Sequence, residues 1–308
     1  MKTERQQEWD CQVRFRERSP FYHVYSSHTV TEIVFGNEAD ADRIVNLMAL
    51  YASTMRVRLL AYEIMSTHLH ILYNAEGDAA VSHMAAALKH YALIKARIGE
   101  PVPFRKMVPQ AVAIQDLKQF RDELAYIIRN RFVARPDVNP FCDPYGTSWL
   151  YFNPLMESLE QDPFTLLSVK RKRELIHVRD VNGLPDWNML KGRRISPASF
   201  IDYRLVEGLF PNARKYVMWV MKNVEAQVEI AVSRGEKPML NDDEMMALVF
   251  KQCRDMYSAN GPSSLSTQQK RELAVSLHRN YLASNAQLAR CLKLDLALVN
   301  SLFPLAVR

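Results

Sequence analysis

The sequence predicts an α+β protein in which a ferredoxin-like βαββαβ core precedes an all-helical C-terminal region. Strand-like and helix-like apolar patterns alternate over residues 21–135, whereas only the helical period occurs after about residue 196. The composition supports a folded chain, because 48% of the 308 residues are hydrophobic and 24% are charged. A chain of this length is typical of about two globular domains.

The first half of the chain supplies the core. Residues 1–20 are polar and charged, and we interpret them as an N-terminal arm. The core, residues 21–135, begins with Phe21-Tyr-His-Val-Tyr-Ser26, whose aromatic and β-branched side chains favour a strand. Two strands that flank Met65-Ser-Thr67 are close enough to form an antiparallel pair. The predicted elements are strand 21–26, helix 37–51, strands 56–64 and 68–73, helix 79–98, strand 111–114 and helix 117–132.

The second half contains a connector and then helices. Residues 136–195 are rich in Pro, Asn, Asp and aromatic residues, and we interpret them as an ordered connector. The C-terminal domain, residues 196–308, ends in short apolar segments at 266–303 that favour a helix-turn-helix-like unit, although a plain helical bundle fits as well. Its last helix offers Asn300 and Ser301 but no Lys or Arg, which disfavours base reading. The predicted helices are 200–210, 213–234, 242–256, 267–279, 285–292 and 296–303.

Composition also limits the compartment and the partners. The four cysteines are scattered, which excludes a disulfide scaffold or a thiolate zinc site and favours a reducing cytoplasm. No apolar run approaches the roughly 20 residues of a membrane span, and the N-terminal residues lack a signal-type apolar segment. We therefore expect a cytoplasmic protein with no membrane partner. The net charge of +6 permits a polyanionic partner without requiring one.

Candidate chemistry begins with two histidines at alternate positions of one predicted strand. His68 and His70 share a face of that strand, so two imidazoles can bind one divalent metal. Taken alone, the pair also fits half-exposed histidines with no metal. On the helix predicted at 117–132, Tyr126 and Asn130 share a face at i and i+4. The Asn130 amide oxygen can complete the metal site, with Tyr126 nearby as a nucleophile.

Three motifs, in this order and spacing, resemble a known family. They are Tyr22-His-Val24, Met65-Ser-Thr-His-Leu-His70 and Tyr126-Ile-Ile-Arg-Asn-Arg-Phe-Val-Ala134. They echo Tyr-His-Val, Met-Pro-Asn-His-Val-His and Tyr-Ile-x-x-Asn-Pro-x-x-Ala of the REP-associated tyrosine transposases, a group of the single-tyrosine HUH (His-hydrophobic-His) transposases. The resemblance covers about residues 20–152. It implies an HUH nuclease core and leaves the C-terminal helical half unexplained.

The resemblance also implies a substrate and a reaction. The substrate would be single-stranded DNA beside a hairpin, cut through a 5′-phosphotyrosine on Tyr126. Mg²⁺ or Mn²⁺ would be held by His68, His70 and Asn130, and geometry alone does not exclude Zn²⁺. Whether Tyr126 serves the histidines of its own chain or those of a partner in a homodimer stays open.

Five further residues are weaker candidates. Arg129 and Arg131 flank the Tyr/Asn pair. Arg56 and Arg58 lie two positions apart on the strand predicted before His68 and His70. All four are candidate contacts to DNA phosphates. Each of these arginines fits a solvated or salt-bridged side chain as well. His23 fits a hydrogen-bonded core histidine better than a site residue.

Departures from the family pattern keep two alternatives open. Ser66-Thr67 replaces Pro-Asn before the first His, Arg131 replaces the Pro after Asn130, and the segment before the Tyr helix reads Val102-Pro-Phe-Arg-Lys106. One alternative is a non-catalytic DNA-binding regulator derived from a transposase. The other is a metal-dependent phosphoesterase in which water replaces the tyrosine as the nucleophile.

Overall fold

The structure is a computed structural model. It describes residues 2–26, 32–134, 141–156, 162–222, 230–231, 237, 240, 242–281 and 283–304, and only the backbone of residues 131–134, 222 and 243. The chain divides into two compact units: a sheet unit, Met1–Phe132 with Asp137–Asn223, and a helical unit, Val133–Pro136 with Val224–Arg308. Helices and antiparallel sheets occur together, which confirms the predicted α+β class.

The sheet unit is built on four antiparallel strands in the order β2-β3-β1-β4. Alternate residues of a strand point to opposite faces. On β3, Tyr73 contacts His83 of α3, whereas His70 contacts Tyr126 of α4, so α3 and α4 cover opposite faces of the sheet. The elements are α1 (Glu4–Arg18), β1 (Phe21–Ser26), α2 (Glu38–Met55), β2 (Arg58–Ile64), β3 (Leu69–Asn74), α3 (Gly77–Arg97), β4 (Pro109–Ile114) and α4 (Leu117–Ala134).

The N-terminal arm predicted for residues 1–20 is instead largely helix α1. A capping box opens it, because the Gln6 amide donates to the Thr3 hydroxyl and the Gln6 side chain accepts from the Thr3 amide. The buried residues of α1 are Cys11 and Phe15, and Phe15 stacks on Phe21 with 4.9 Å between ring centroids. Two buried side chains form too narrow an apolar stripe to produce a visible helical period, which is why the pattern suggested an arm.

Two strand boundaries in the β2–β3 hairpin differ from the prediction. Arg56 adopts a left-handed conformation at the end of α2 (φ 54°), so β2 begins at Arg58 rather than at residue 56. The amide of Met65 donates to the carbonyl of His68 at 2.9 Å and closes the turn, so β3 begins at Leu69. His68 therefore lies at the turn, one residue before the strand.

The segment predicted as a connector packs with the sheet unit. The Tyr151 hydroxyl of this segment donates to the Leu60 carbonyl at 2.8 Å. Beyond the segment, the amide of Asp202, predicted to lie in the C-terminal domain, donates to the Leu59 carbonyl at 2.9 Å. These bonds cover the outer edge of β2, whose carbonyls have no strand neighbour on that side. The sheet unit therefore extends to Asn223, beyond the boundary predicted at 195. Its remaining elements are β5 (Asp162–Pro163), α5 (Val169–Ile176), β6 (Asn188–Leu190), β7 (Arg194–Ile195), α6 (Tyr203–Glu207) and α7 (Ala213–Lys222), with β5, β6 and β7 in a small antiparallel sheet.

Two helix predictions fall in this part of the chain. The helix predicted at 200–210 is reduced to α6, because Ile201 and Asp202 pair with the edge of β2 before it. The helix predicted at 213–234 is described as α7 up to Lys222, and most of its remainder lies outside the described residues.

The helical unit contains α8 (Asp242–Tyr257), α9 (Thr267–Asn280), α10 (Asn285–Leu292) and α11 (Leu296–Leu302). Ser266, Ser284 and Asp295 accept backbone amide hydrogens at the starts of the last three helices, as good N-caps do. Lys293 adopts a left-handed conformation (φ 53°) in the turn between α10 and α11. The bounds of these helices agree with the prediction to within a residue. No helix among the described residues is both long and apolar enough to cross a bilayer.

Candidate active site

The β2–β3 hairpin brings the two candidate histidines together on the α4 face of the sheet. His70 is fully buried on the central strand β3, where its register neighbours are Tyr25 of β1 and Glu63 of β2. His68 is half-buried at the turn, and its ring centroid lies 4.8 Å from that of His70. The predicted side-by-side placement of the histidines is therefore present, although only His70 lies on a strand.

Helix α4 brings the candidate nucleophile to the same place. Asp116 opens α4 by accepting the amide hydrogen of Gln119 at 2.8 Å. Buried Phe120 packs edge-on against Phe21 of β1 and fixes the helix on the sheet. This packing sets the Tyr126 ring 5.6 Å from the His70 ring, between centroids, and nearly perpendicular to it. Tyr126 is 5% exposed, so it lies inside the α4–sheet interface rather than on an open surface.

Asn130 follows Tyr126 by one helical turn and is half-buried. Its Nδ2 atom is buried and has no hydrogen-bond partner within the described part of the chain. A buried amide atom without a partner costs about 1–3 kcal/mol, unless a further group enters the site. An amide can turn about its terminal torsion and present its oxygen to a cation, so this side chain is compatible with a ligand role.

Hydrogen bonds to the Nδ1 atoms of both histidines suit a shared cation. Nδ1 of His70 lies 3.0 Å from Nε2 of His23, and Nδ1 of His68 lies 2.8 Å from the Thr67 hydroxyl. Metal-binding histidines commonly use one ring nitrogen in this way and ligate through the other. The two Nε2 atoms and the Asn130 amide oxygen are thus the atoms that would ligate a divalent cation if one binds here.

The candidate ligands do not include a third His, Cys, Asp or Glu side chain. Within the described residues, no group of three or more His, Cys, Asp and Glu side chains has the placement to hold a metal. Two imidazoles and one amide leave several coordination positions for phosphate oxygens or water, as a catalytic site requires.

Of the four candidate DNA-contacting arginines, the three with described side chains do not form an exposed group beside the histidine pair. Arg129 is 2% exposed, and burial lowers its guanidinium pKa to about 10, so it belongs to the interior rather than to a DNA-facing surface. Arg58 is exposed and donates to Asn74 at the far end of β3, about 13 Å along the strand from His70. Arg56 precedes it at the same end, and the Arg131 side chain lies outside the described residues.

Sequence reasoning missed one buried residue beside the site, Glu123, and favoured a core role for the other, His23. His23 lies between His70 and Glu123, and its Nδ1 is 2.8 Å from the Glu123 carboxylate. Glu123 and Tyr126 are three residues apart on α4, so they lie on neighbouring parts of one helix surface. An acid at this spacing from the candidate nucleophile was the available signal.

Comparisons with known proteins add no further constraint. No protein-family model matches the chain, no curated protein matches it, and no solved structure matches it. The resemblance to REP-associated tyrosine transposases and the roles of the site residues therefore stay predictions, and function is inferred from the residues of this chain.

Proposed function

We propose that this protein is a metal-dependent single-stranded DNA endonuclease and strand transferase of the single-tyrosine HUH type. The observation that carries the proposal is the convergence of His68, His70 and Tyr126. These residues come from a hairpin turn, a central strand and a helix, and their rings lie 4.8 Å and 5.6 Å apart between successive centroids. Two imidazoles and a phenol from three separate elements are therefore in successive ring contact.

The proposed core fold is a ferredoxin-like HUH nuclease domain. The strand order β2-β3-β1-β4, with α2 between β1 and β2 and α3 between β3 and β4, supports this proposal. In this arrangement β1 and β3 are the inner strands, so residues from both reach the same part of one face. Fold alone does not specify activity, and the proposal therefore depends on the site residues.

In the proposed reaction, the Tyr126 oxygen attacks the scissile phosphorus and the bond from phosphorus to the 3′ oxygen breaks. The phenol proton is lost, the departing 3′ oxygen gains a proton, and a 5′-phosphotyrosine remains. When bound to His68, His70 and Asn130, Mg²⁺ or Mn²⁺ supplies Lewis-acid polarisation of the phosphate. A later 3′-OH can expel the phenol, whose pKa of about 10 makes it a far better leaving group than an alkanol.

The buried position of Tyr126 favours one alternative, the DNA-binding regulator derived from a transposase. At 5% exposure, the phenol cannot meet a phosphate unless the side chain turns or the end of α4 moves. A nuclease core that has lost its activity would retain this packing, because binding DNA does not require Tyr126 to move. The regulator alternative predicts hairpin binding without a covalent product, and binding that survives Tyr126→Phe.

The deciding experiment is formation of a covalent adduct. Labelled single-stranded DNA, including hairpins from the sequence flanking the gene, is incubated with Mn²⁺ and analysed on a denaturing protein gel. We expect an SDS-resistant labelled band from the wild type and from Tyr51→Phe, a control at a half-buried tyrosine of α2, but none from Tyr126→Phe. Tyr126 and His70 of one chain are in ring contact, so the adduct should form without a homodimer.

Two other results would each redirect the proposal. Cleavage without an adduct, by wild type and Tyr126→Phe alike, would identify a water-using phosphoesterase. Hairpin binding by both proteins, with neither cleavage nor adduct, would support the regulator.

A further inference from the structure

A line of three fully buried or nearly buried side chains runs from α4 into the candidate site. The Glu123 carboxylate lies 2.8 Å from Nδ1 of His23, and Nε2 of His23 lies 3.0 Å from Nδ1 of His70. Glu123 is 2% exposed, and both histidines are 0% exposed. The three residues come from α4, β1 and β3, so the line exists only in the folded chain.

We take Glu123 as the carboxylate and both histidines as neutral imidazoles, which fixes the direction of the hydrogen bonds. A carboxylate only accepts hydrogen bonds, so Nδ1 of His23 donates to Glu123. A neutral imidazole then carries no hydrogen on Nε2, and Nε2 of His23 accepts from Nδ1 of His70. With its hydrogen on Nδ1, the His70 ring has its lone pair on Nε2, the atom that a metal would need.

We propose that Glu123 and His23 are positioning residues that hold His70 as its Nδ1–H tautomer and fix the orientation of its ring. This inference deepens the proposed function and rests on it, because the ligand for Nε2 of His70 is the divalent cation proposed above. Neither residue touches the substrate in this proposal. Both act through His70, as outer hydrogen-bond partners of metal-binding histidines do.

The opposite arrangement shows what Glu123 contributes. If a donor replaced the carboxylate, Nδ1 of His23 would accept and its Nε2 would carry the hydrogen. His23 would then donate to Nδ1 of His70, and the His70 hydrogen would move to Nε2, where it blocks metal binding. Glu123→Gln would not settle the point, because its amide can donate through nitrogen or accept through oxygen. Glu123→Leu, of similar size, removes the acceptor, so neither tautomer of His23 is favoured.

A second buried histidine provides an internal reference in the same unit. Nε2 of His83 lies 3.0 Å from the carbonyl oxygen of Met48, and its Nδ1 lies 2.8 Å from the Tyr73 hydroxyl. A carbonyl only accepts, so His83 must be the Nε2–H tautomer. The structure therefore assigns opposite tautomers to His70 and His83.

The test uses ¹⁵N-histidine-labelled, metal-free protein and long-range ¹⁵N–¹H correlation spectra, which distinguish the two tautomers. In the wild type we expect His70 as Nδ1–H and His83 as Nε2–H. In Glu123→Leu we expect His70 to lose its single Nδ1–H form, while unchanged His83 signals report an intact fold. Glu17→Gln, an exposed carboxylate of α1, should leave both histidines as in the wild type.

Binding of Mn²⁺ alone, measured by calorimetry or by electron paramagnetic resonance, gives a second readout. Glu123→Leu should weaken Mn²⁺ binding by about 10–100-fold relative to the wild type and Glu17→Gln. His70 as Nε2–H in the wild type would overturn the proposal without any variant. An unchanged tautomer and unchanged Mn²⁺ affinity in Glu123→Leu would also overturn it.

These readouts separate the positioning role from the proposed function. A wild type with the expected tautomers that binds Mn²⁺ but forms no DNA adduct would support the positioning role and contradict the proposed strand transfer. A wild type that forms the adduct with His70 as Nε2–H would overturn the positioning role and support strand transfer.

Discussion

The two faces of the four-stranded sheet use buried histidines in different ways. On the α3 face, both ring nitrogens of His83 are hydrogen-bonded within the fold, to Tyr73 and to the Met48 carbonyl. On the α4 face, His70 uses Nδ1 for His23 and is in ring contact with Tyr126. Burial therefore does not separate a structural histidine from a candidate ligand. The partners differ instead: His83 meets a tyrosine and a backbone carbonyl, whereas His70 meets a second histidine.

The same contrast applies to two asparagines of the sheet unit. The Asn46 side chain on α2 donates to the Leu175 and Arg193 carbonyls and accepts from the Ile195 amide. It joins separate segments and is satisfied by them. The Nδ2 atom of Asn130 on α4 has no partner among the described residues. One amide stabilises the fold, and the other is compatible with an added ligand.

The helical unit gives a third example of internally used polar groups. Nδ2 of Asn285 donates to the Asn300 side chain at 2.9 Å, and the Ser301 hydroxyl donates to the Leu298 carbonyl. Asn300 and Ser301 of α11 were the candidates for reading bases. Both side chains take part in hydrogen bonds within the helical unit.

The largest expected effect compares His70→Ala with His83→Ala. Loss of His70 should abolish the DNA adduct and reduce Mn²⁺ binding below detection, while leaving a folded protein. Loss of His83 should leave adduct formation intact and reduce the free energy of unfolding by about 2 kcal/mol, because the Tyr73 hydroxyl and the Met48 carbonyl lose their partner. Adduct gels and urea unfolding measure the two effects, and equal loss of adduct in both variants would contradict the contrast.

His83, the buried histidine on the α3 face, should make the free energy of unfolding depend on pH. Burial lowers the pKa of His83 to about 4, whereas the unfolded chain has a value of about 6.5. Between these values the unfolded chain binds the proton and the folded chain does not, so stability is lost as the pH falls. The contribution is complete above pH 6.5, and up to about 3 kcal/mol is lost by pH 4.

His83→Gln isolates that contribution, because an amide can accept from Tyr73 and donate to Met48 without titrating. Urea unfolding at several pH values should give the variant a flatter profile than the wild type over this range. Parallel profiles would mean that His83 does not titrate as its burial predicts.

The smallest expected effect distinguishes the two asparagines. Asn130→Ala should lower adduct formation at limiting Mn²⁺ by about tenfold, with little change in the free energy of unfolding. Asn46→Ala should do the reverse, because it removes three hydrogen bonds within the fold and no proposed ligand. Unchanged activity of Asn130→Ala at limiting Mn²⁺ would remove Asn130 from the ligand set.

Much of the fold was predicted from residue patterns within short segments of the sequence. β1 has the predicted bounds, the two histidines of the hairpin lie side by side, and α4 carries Tyr126 and Asn130 on one side. The period of 2 or 3.6 shows which residues face the interior, and caps such as Ser284 show where helices begin. These properties depend on neighbours within a few positions, so a sequence contains them directly.

The sequence by itself therefore determined the α+β class, the order of the core elements and the residues that could ligate a metal. Only the tertiary structure decided that His23 meets Glu123, 100 residues away in the chain, and that residues after 136 cover the edge of β2. A hydrophobic pattern predicts that a residue is buried. It does not predict which other buried polar group that residue will contact. That choice depends on contacts between distant segments, because a hydrogen bond requires placement to within a few tenths of an ångström.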